Sequence, residues 1–177
     1  KVRMLAGCAG FAEFLPQALE MSTQHCQELV QAEGLTVISG SLNPITTRQI
    51  RAARDAGFRC VTLTPRQKTD TKYIDSPEFE KFLGKITDFY KAGKRLIIES
   101  VDSSGSSSLE EEYIQPEGYT SEKARRLVSD NIGAIVKKML ERGIRGAYVL
   151  IGGDTLLSVM NKICCDEIVP LGELAAG

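Results

Sequence analysis

Three short stretches of the chain combine glycine with other small side chains at points where an apolar run gives way to a helical pattern. They are residues 7–10, 39–43 and 152–155. Glycine lets a ligand approach the backbone closely, and the amides at the start of a helix favour a negatively charged group. These stretches therefore predict sites for a phosphate-bearing ligand, which in an α/β sheet would lie beyond the carboxyl ends of the strands.

Two of these stretches carry the hydroxyls and glycines that suit a phosphate chain. Their candidate binding residues are Ser39, Gly40, Ser41, Asn43, Gly152, Gly153, Asp154 and Thr155. If both turns lie on one edge of a sheet, a nucleotide would fit between them. The alternative interpretation is that each glycine only makes room for a tight strand-to-helix turn, with Asp154 as an N-cap.

The standard nucleotide signatures are missing from the chain. No G-x-x-x-x-G-K-S/T segment occurs, because neither Gly-Lys pair is followed by serine or threonine. Gly7 and Gly10 form only a G-x-x-G, which falls short of the G-x-G-x-x-G fingerprint. A P-loop enzyme and a classical dinucleotide dehydrogenase are therefore both disfavoured.

Histidine and cysteine chemistry finds little support in the sequence. The single histidine, His25, falls within a helical pattern, so a Ser-His or Cys-His catalytic pair is disfavoured. The cysteines show no spacing typical of a zinc site or a disulfide framework, which indicates reduced thiols. They are Cys8, Cys26, Cys60, Cys164 and Cys165. We assign no metal ligand and no catalytic residue.

Length and charge limit the class of protein. The chain has 177 residues, 42% hydrophobic and 25% charged, which predicts a single domain over residues 1–177. A net charge of -1 gives no basic field for nucleic acid. No apolar run approaches the roughly 20 residues of a membrane helix. We therefore expect a cytoplasmic protein with no nucleic-acid or membrane partner.

Short apolar runs alternate with longer segments of helical period. Strands are predicted at residues 2–6, 36–40, 59–64, 95–101, 146–152 and 167–170. Helices are predicted at residues 9–32, 44–56, 77–92, 121–142 and 153–164, and the serine-rich segment 102–108 is predicted to be a loop. Such alternation is typical of an α/β fold with a doubly wound, mostly parallel sheet and helices on both faces.

Four segments, taken in order, resemble one known family. They are residues 6–12 (AGCAGFA), 37–49 (VISGSLNPITTRQ), 151–155 (IGGDT) and 170–174 (PLGEL). They are similar to the G-S-A-G-L-A turn, the SGS-x-S/N-x-x-T-x-x-Q segment, the G-G-D/E-T turn and the G-x-E-I-x-P-G-V-P segment of the four-carbon acid sugar kinases. The four matches span nearly the whole chain, so together they are more specific than any single motif.

The resemblance implies a Rossmann-like ATP-binding domain, the C-terminal part of a two-domain kinase that phosphorylates a sugar acid such as a threonate, an erythronate or a 3-oxo-tetronate. It implies ATP and Mg²⁺ as cofactors, and it places the candidate residues of the 39–43 and 152–155 turns in the nucleotide pocket. Gly7 and Gly10 would lie at the domain junction. The N-terminal substrate half is expected to be absent from this chain, which alone is expected to be inactive. A homodimer is left open.

Two alternatives belong to other classes of protein. Residues 174–177 depart from the family's P-G-V-P tail, which favours a non-catalytic ligand-binding or regulatory domain on the same scaffold. The basic face of the helix predicted at residues 121–142, with Lys137 and Lys138, would suit an interaction module.

Overall fold

The structure is a computed structural model that describes residues 9–20, 32–40, 43–100 and 118–169. The chain divides into two compact units, one formed by Lys1–Val30 with Val169–Gly177 and the other by Gln31–Ile168. The predicted strand at residues 2–6 lies outside the described residues. The single-domain organisation of residues 1–177 stays a prediction.

The described helix of the first unit is α1 (Ala9–Ala18), with Pro16 inside it. The sequence predicted a helix over residues 9–32, but Glu20 has a left-handed backbone with φ of 51°. A residue in that conformation cannot continue a right-handed helix, so the predicted helix is interrupted soon after Ala18.

The second unit is built on a four-stranded parallel sheet. The strands are β1 (Leu35–Ser39), β2 (Arg59–Thr62), β3 (Arg95–Glu99) and β4 (Ala147–Ile151). Their order in the sheet is β2-β3-β1-β4, and all neighbouring strands are parallel. This confirms the predicted α/β class. The prediction of a strand at residues 167–170 is wrong for residues 167–169, which have no regular secondary structure. Residue 170 lies outside the described residues.

Helices connect the strands of this unit. They are α2 (Pro44–Asp55), α3 (Pro65–Thr69), α4 (Pro77–Gly93), α5 (Ser121–Glu141) and α6 (Gly153–Ile163), with a 3₁₀ turn at Tyr73–Asp75. The side chains of Asn43, Ser76 and Thr120 each accept a hydrogen bond from a backbone amide in the first turn of α2, α4 and α5. These contacts satisfy amides that have no partner within the helix, as the sequence predicted.

The hydrophobic core lies on one face of the sheet. Alternation along the strands turns Ile38, Leu96 and Ile98 toward this face, where they join a buried cluster with Phe79 of α4 and Ile135 of α5. Glu99 points to the opposite face by the same alternation, and Arg54 at the end of α2 contacts it there. The helices therefore cover both faces of the sheet, as in a doubly wound fold.

Candidate functional site

The two predicted turns leave the sheet side by side. β1 and β4 are neighbouring strands, and Ser39 pairs with Ile151 at their carboxyl ends. The amide of Gly40 donates a hydrogen bond to the carbonyl of Ile151 at 3.1 Å. A Cβ atom on Gly40 would lie 2.3 Å from Oγ1 of Thr155. The structure thus brings Gly40 and the 152–155 turn into direct contact.

Part of the predicted site cannot be located in the structure. Ser41 and Gly7 lie outside the described residues. Gly10 lies in α1, which belongs to the first compact unit. The role of Gly7 and Gly10 at a domain junction therefore stays a prediction.

In the described part of the turn after β1, polar groups are engaged within the protein. Asn43 Oδ1 accepts a hydrogen bond from the Ile45 amide at 2.8 Å, so a side chain already caps the start of α2. The Gly40 amide is engaged with β4, and the side chain of Ser39 is buried. Strand pairing thus extends one residue beyond β1, and the hydroxyls and exposed amides expected of the Ser39-Gly40-Ser41 turn stay a prediction for Ser41, which lies outside the described residues.

At the start of α6, in contrast, no side chain caps the backbone amides. Gly152 is the N-cap residue, with φ of 112°, and no side chain caps this helix. The amide of Leu156 is the first to find an acceptor in this turn, the Gly152 carbonyl at 3.0 Å. The amides of Gly153, Asp154 and Thr155 therefore have no partner within the helix. These donors and the positive end of the helix dipole favour a bound anion.

The residues at the start of this turn are exposed. A Cβ atom on Gly153 would meet no described atom within 4 Å. Asp154 is the second residue of α6 and its side chain is exposed, so its interpretation as an N-cap is wrong. Thr155 is buried against Gly40. Gly153 and Asp154 are thus accessible, while Thr155 packs against Gly40, which follows β1.

We predict that Gly40→Ala lowers the free energy of unfolding by about 1 kcal/mol, because the new methyl group overlaps Thr155 Oγ1. In the Thr155→Ala background the same methyl would face the Cβ at 3.7 Å, an ordinary contact. The penalty of Gly40→Ala should therefore largely vanish there. Urea unfolding of the two single variants and the double variant measures this coupling, and additive penalties would contradict the contact.

Sequence reasoning missed a buried carboxylate at the same edge of the sheet. Glu99 ends β3 and is 1% exposed. Its Oε1 accepts hydrogen bonds from Arg54 at 3.0 Å and from the Thr62 hydroxyl at 2.8 Å. Its Oε2 has no partner among the described atoms. The available signal was an acidic residue that directly follows the apolar run Leu96-Ile97-Ile98.

The described residues contain no group of three or more histidine, cysteine, aspartate or glutamate side chains placed to hold a metal ion. Within the same ranges, every helix is too short or too polar to traverse a bilayer.

The parallel sheet, with an uncapped helix N-terminus at its carboxyl edge, is typical of α/β domains that bind phosphate-bearing ligands. A family model described as the nucleotide-binding C-terminal domain matches residues 36–177, and the chain belongs to this family. The match confirms the resemblance to the C-terminal nucleotide-binding domain of the sugar acid kinases. No curated protein and no solved structure matches the chain.

Proposed function

We propose that this nucleotide-binding domain holds ATP at the carboxyl edge of the sheet, with the phosphates on the first amides of α6. The observation that carries the proposal is the uncapped start of α6, which lies against Gly40 of the neighbouring turn. An anion there would accept hydrogen bonds from amides that the helix itself leaves without partners.

The same turn carries a carboxylate, a group that binds Mg²⁺ in proteins. Asp154 places an exposed carboxylate within the first turn of α6, where it would repel phosphate groups in the absence of a cation. Mg²⁺ is commonly held by one or two carboxylates together with the phosphates of a nucleotide. We therefore propose that Asp154 contacts the Mg²⁺ that accompanies ATP, directly or through its water ligands.

The reaction we propose is phosphoryl transfer from ATP to a hydroxyl of a four-carbon sugar acid. It rests on the resemblance of residues 37–49 and 151–155 to the sugar acid kinases. Positioning and charge neutralisation supply most of the catalysis in such transfers. The α6 amides and Asp154 would do this for the phosphates, and we assign the base that accepts the substrate proton to none of the described residues.

Gly153→Val tests the proposed phosphate site. The valine has room within the protein, because no described atom lies near the new Cβ. Since Gly153 is the first residue of α6, we expect the larger side chain to crowd an anion held on the α6 amides. We expect ATP with Mg²⁺ to bind the parent chain and to bind the variant at least tenfold more weakly, a loss of about 1.4 kcal/mol. Isothermal titration calorimetry measures both affinities.

Gly84→Val serves as the matched control, because Gly84 in α4 also has no described neighbour within 4 Å of its added Cβ. It should bind ATP as the parent does. A parent chain that binds no ATP, or equal affinity in Gly153→Val, would exclude the site. ADP release with threonate, erythronate or 3-oxo-tetronate, assayed in a polypeptide that carries both kinase halves, tests the substrate class. ATP binding without ADP release would favour the non-catalytic alternative.

A further inference from the structure

A cleft of about 490 Å³ opens at the amino edge of the sheet, at the opposite end of the strands from the proposed phosphate site. Its lining includes Lys94 and Gly146, which directly precede β3 and β4, and residues of the last turns of α4. A strand of this length separates the two edges by about 16 Å. The volume of the cleft suits a small molecule, and neither the motifs nor the family match assigns it a ligand.

Positively charged side chains dominate this cleft. Its described lining carries one carboxylate, that of Glu33, and the four cations Lys91, Lys94, Arg142 and Arg145. All four cationic residues are exposed, so a ligand can reach them. A cleft with a large excess of one sign of charge concentrates ions of the opposite sign.

Two of these cations have no partner within the described protein. The side chains of Lys91 and Arg145 form no ion pair or hydrogen bond with any described residue. Arg142 pairs with a carboxylate of α4, and Lys94 Nζ lies 2.7 Å from Glu33 Oε2. The Glu33 side chain is 86% exposed, and such a pair contributes little to stability. Lys94 can therefore exchange this partner for a bound anion.

Backbone carbonyls beside the cleft already have donors. The amides of residues 142–144 donate hydrogen bonds to carbonyls in the last turns of α5, and the amide of Lys94 does so for α4. The carbonyls of Ile144 and Arg145 accept hydrogen bonds from two tyrosine hydroxyls. These helix ends thus do not need the four cations to satisfy their acceptors, and the cationic side chains stay available to a ligand.

Close packing fixes the backbone that carries Arg145. A Cβ atom on Gly146 would lie 2.4 Å from the carbonyl oxygen of Gly34, and a Cβ atom on Gly34 would lie 2.3 Å from the Tyr90 hydroxyl. The same hydroxyl donates a hydrogen bond to the Arg145 carbonyl. The loop before β4 is therefore held against α4 and the residue before β1, which reduces the ordering that ligand binding would require.

We propose that this cleft binds a small molecule that carries two or more phosphate or carboxylate groups. The guanidinium groups of Arg142 and Arg145 match the paired oxygens of such groups, and the lysines add compact positive charges. A ligand with one anionic group would leave most of the positive charge uncompensated. The inference goes beyond the proposed function, because this ligand binds at the edge of the sheet away from α6 and leaves the ATP site free.

Calorimetry at constant ionic strength tests the inference with inorganic pyrophosphate, citrate and acetate. The titrations use the Gly153→Val background, in which the proposed phosphate site on α6 is weakened. We expect pyrophosphate or citrate, or both, to bind at least tenfold more tightly than acetate. Lys91→Ala and Arg145→Ala, each added to this background, should weaken that binding at least tenfold. In the parent background the same two substitutions should leave the affinity for ATP with Mg²⁺ unchanged.

Matched controls are Lys81→Ala on α4 and Lys137→Ala on α5, since each removes one exposed positive charge that does not line the cleft. Both should bind the anions as the Gly153→Val background does, and thermal melts should show all variants folded. If the control variants weakened binding as much as Lys91→Ala does, or if acetate bound as tightly as citrate, the inference would be overturned.

The two polyvalent probes distinguish the source of the anionic groups. Binding of pyrophosphate alone indicates a phosphorylated ligand, and binding of citrate alone indicates a polycarboxylate; either result supports the inference. A hexaglutamate peptide that binds while neither small anion does would overturn it in favour of an acidic protein segment. Pyrophosphate binding that is present in the parent chain and lost in Gly153→Val would also overturn it, while supporting the site on α6. A parent that binds citrate but no ATP would exclude the proposed function and leave this inference standing.

Discussion

Gly133→Ala is expected to lower the free energy of unfolding by about 3 kcal/mol, at the upper end for overpacking a buried contact. Gly133 lies where α5 crosses α6, and a Cβ there would approach both the side chain and the backbone of Ser158, with the backbone carbonyl at 2.9 Å. A serine side chain can rotate, but the helix backbone cannot yield without moving α6. Urea unfolding of the parent and the variant measures the loss.

Gly84→Ala is the control for this prediction. Gly84 lies inside α4, and its added Cβ has no described neighbour within 4 Å. Alanine there should stabilise the protein by about 0.5 to 1 kcal/mol, because it restricts the unfolded chain and suits a helix. If Gly133→Ala behaved as Gly84→Ala does, the close crossing of α5 and α6 would be refuted.

Arg54→Ala is expected to lower the free energy of unfolding by about 2 kcal/mol. This is less than the loss for a fully buried ion pair, because solvent reaches the arginine. Glu99 is 1% exposed while the Arg54 side chain is 44% exposed. The substitution leaves a buried carboxylate with the Thr62 hydroxyl as its remaining described donor. Thermal and urea unfolding at neutral pH report the loss.

Two further variants separate the buried charge from ordinary surface effects. Lys138→Ala removes an ion pair with Glu141 in which both side chains are well exposed, and it should change stability by no more than about 0.5 kcal/mol. Glu99→Gln in the Arg54→Ala background removes the unpaired charge and should recover part of the stability. If Arg54→Ala and Lys138→Ala lowered the free energy of unfolding equally, the idea that a buried, unpaired Glu99 destabilises the fold would be refuted.

Several elements could be predicted because their signals are local. Asn43 before Pro44, Ser76 before Pro77, and Thr120 before the long apolar repeat each mark a helix start, and each caps a helix in the structure. The helix α3 was missed although Thr64 and Gln67 form a capping box, in which each side chain accepts a hydrogen bond from the other residue's amide.

Glycine in the 39–43 and 152–155 segments predicted both turns of the candidate site. The sequences of these segments do not show which turn keeps its amides accessible to a ligand. Asn43 caps α2, whereas Gly152 has no side chain to cap α6. The use of the Gly40 amide depends on the neighbouring strand β4, which lies far away in the sequence.

The sequence by itself determined the alternation of strands and helices, the helix starts and the family, because propensities, caps and motifs act over a few residues. The tertiary structure alone decided that β1 lies beside β4, that Gly40 contacts Thr155, and that Glu99 is buried against Arg54. Strand order is set by which pairing buries the most apolar surface across the whole unit, and that sum cannot be evaluated from any single segment.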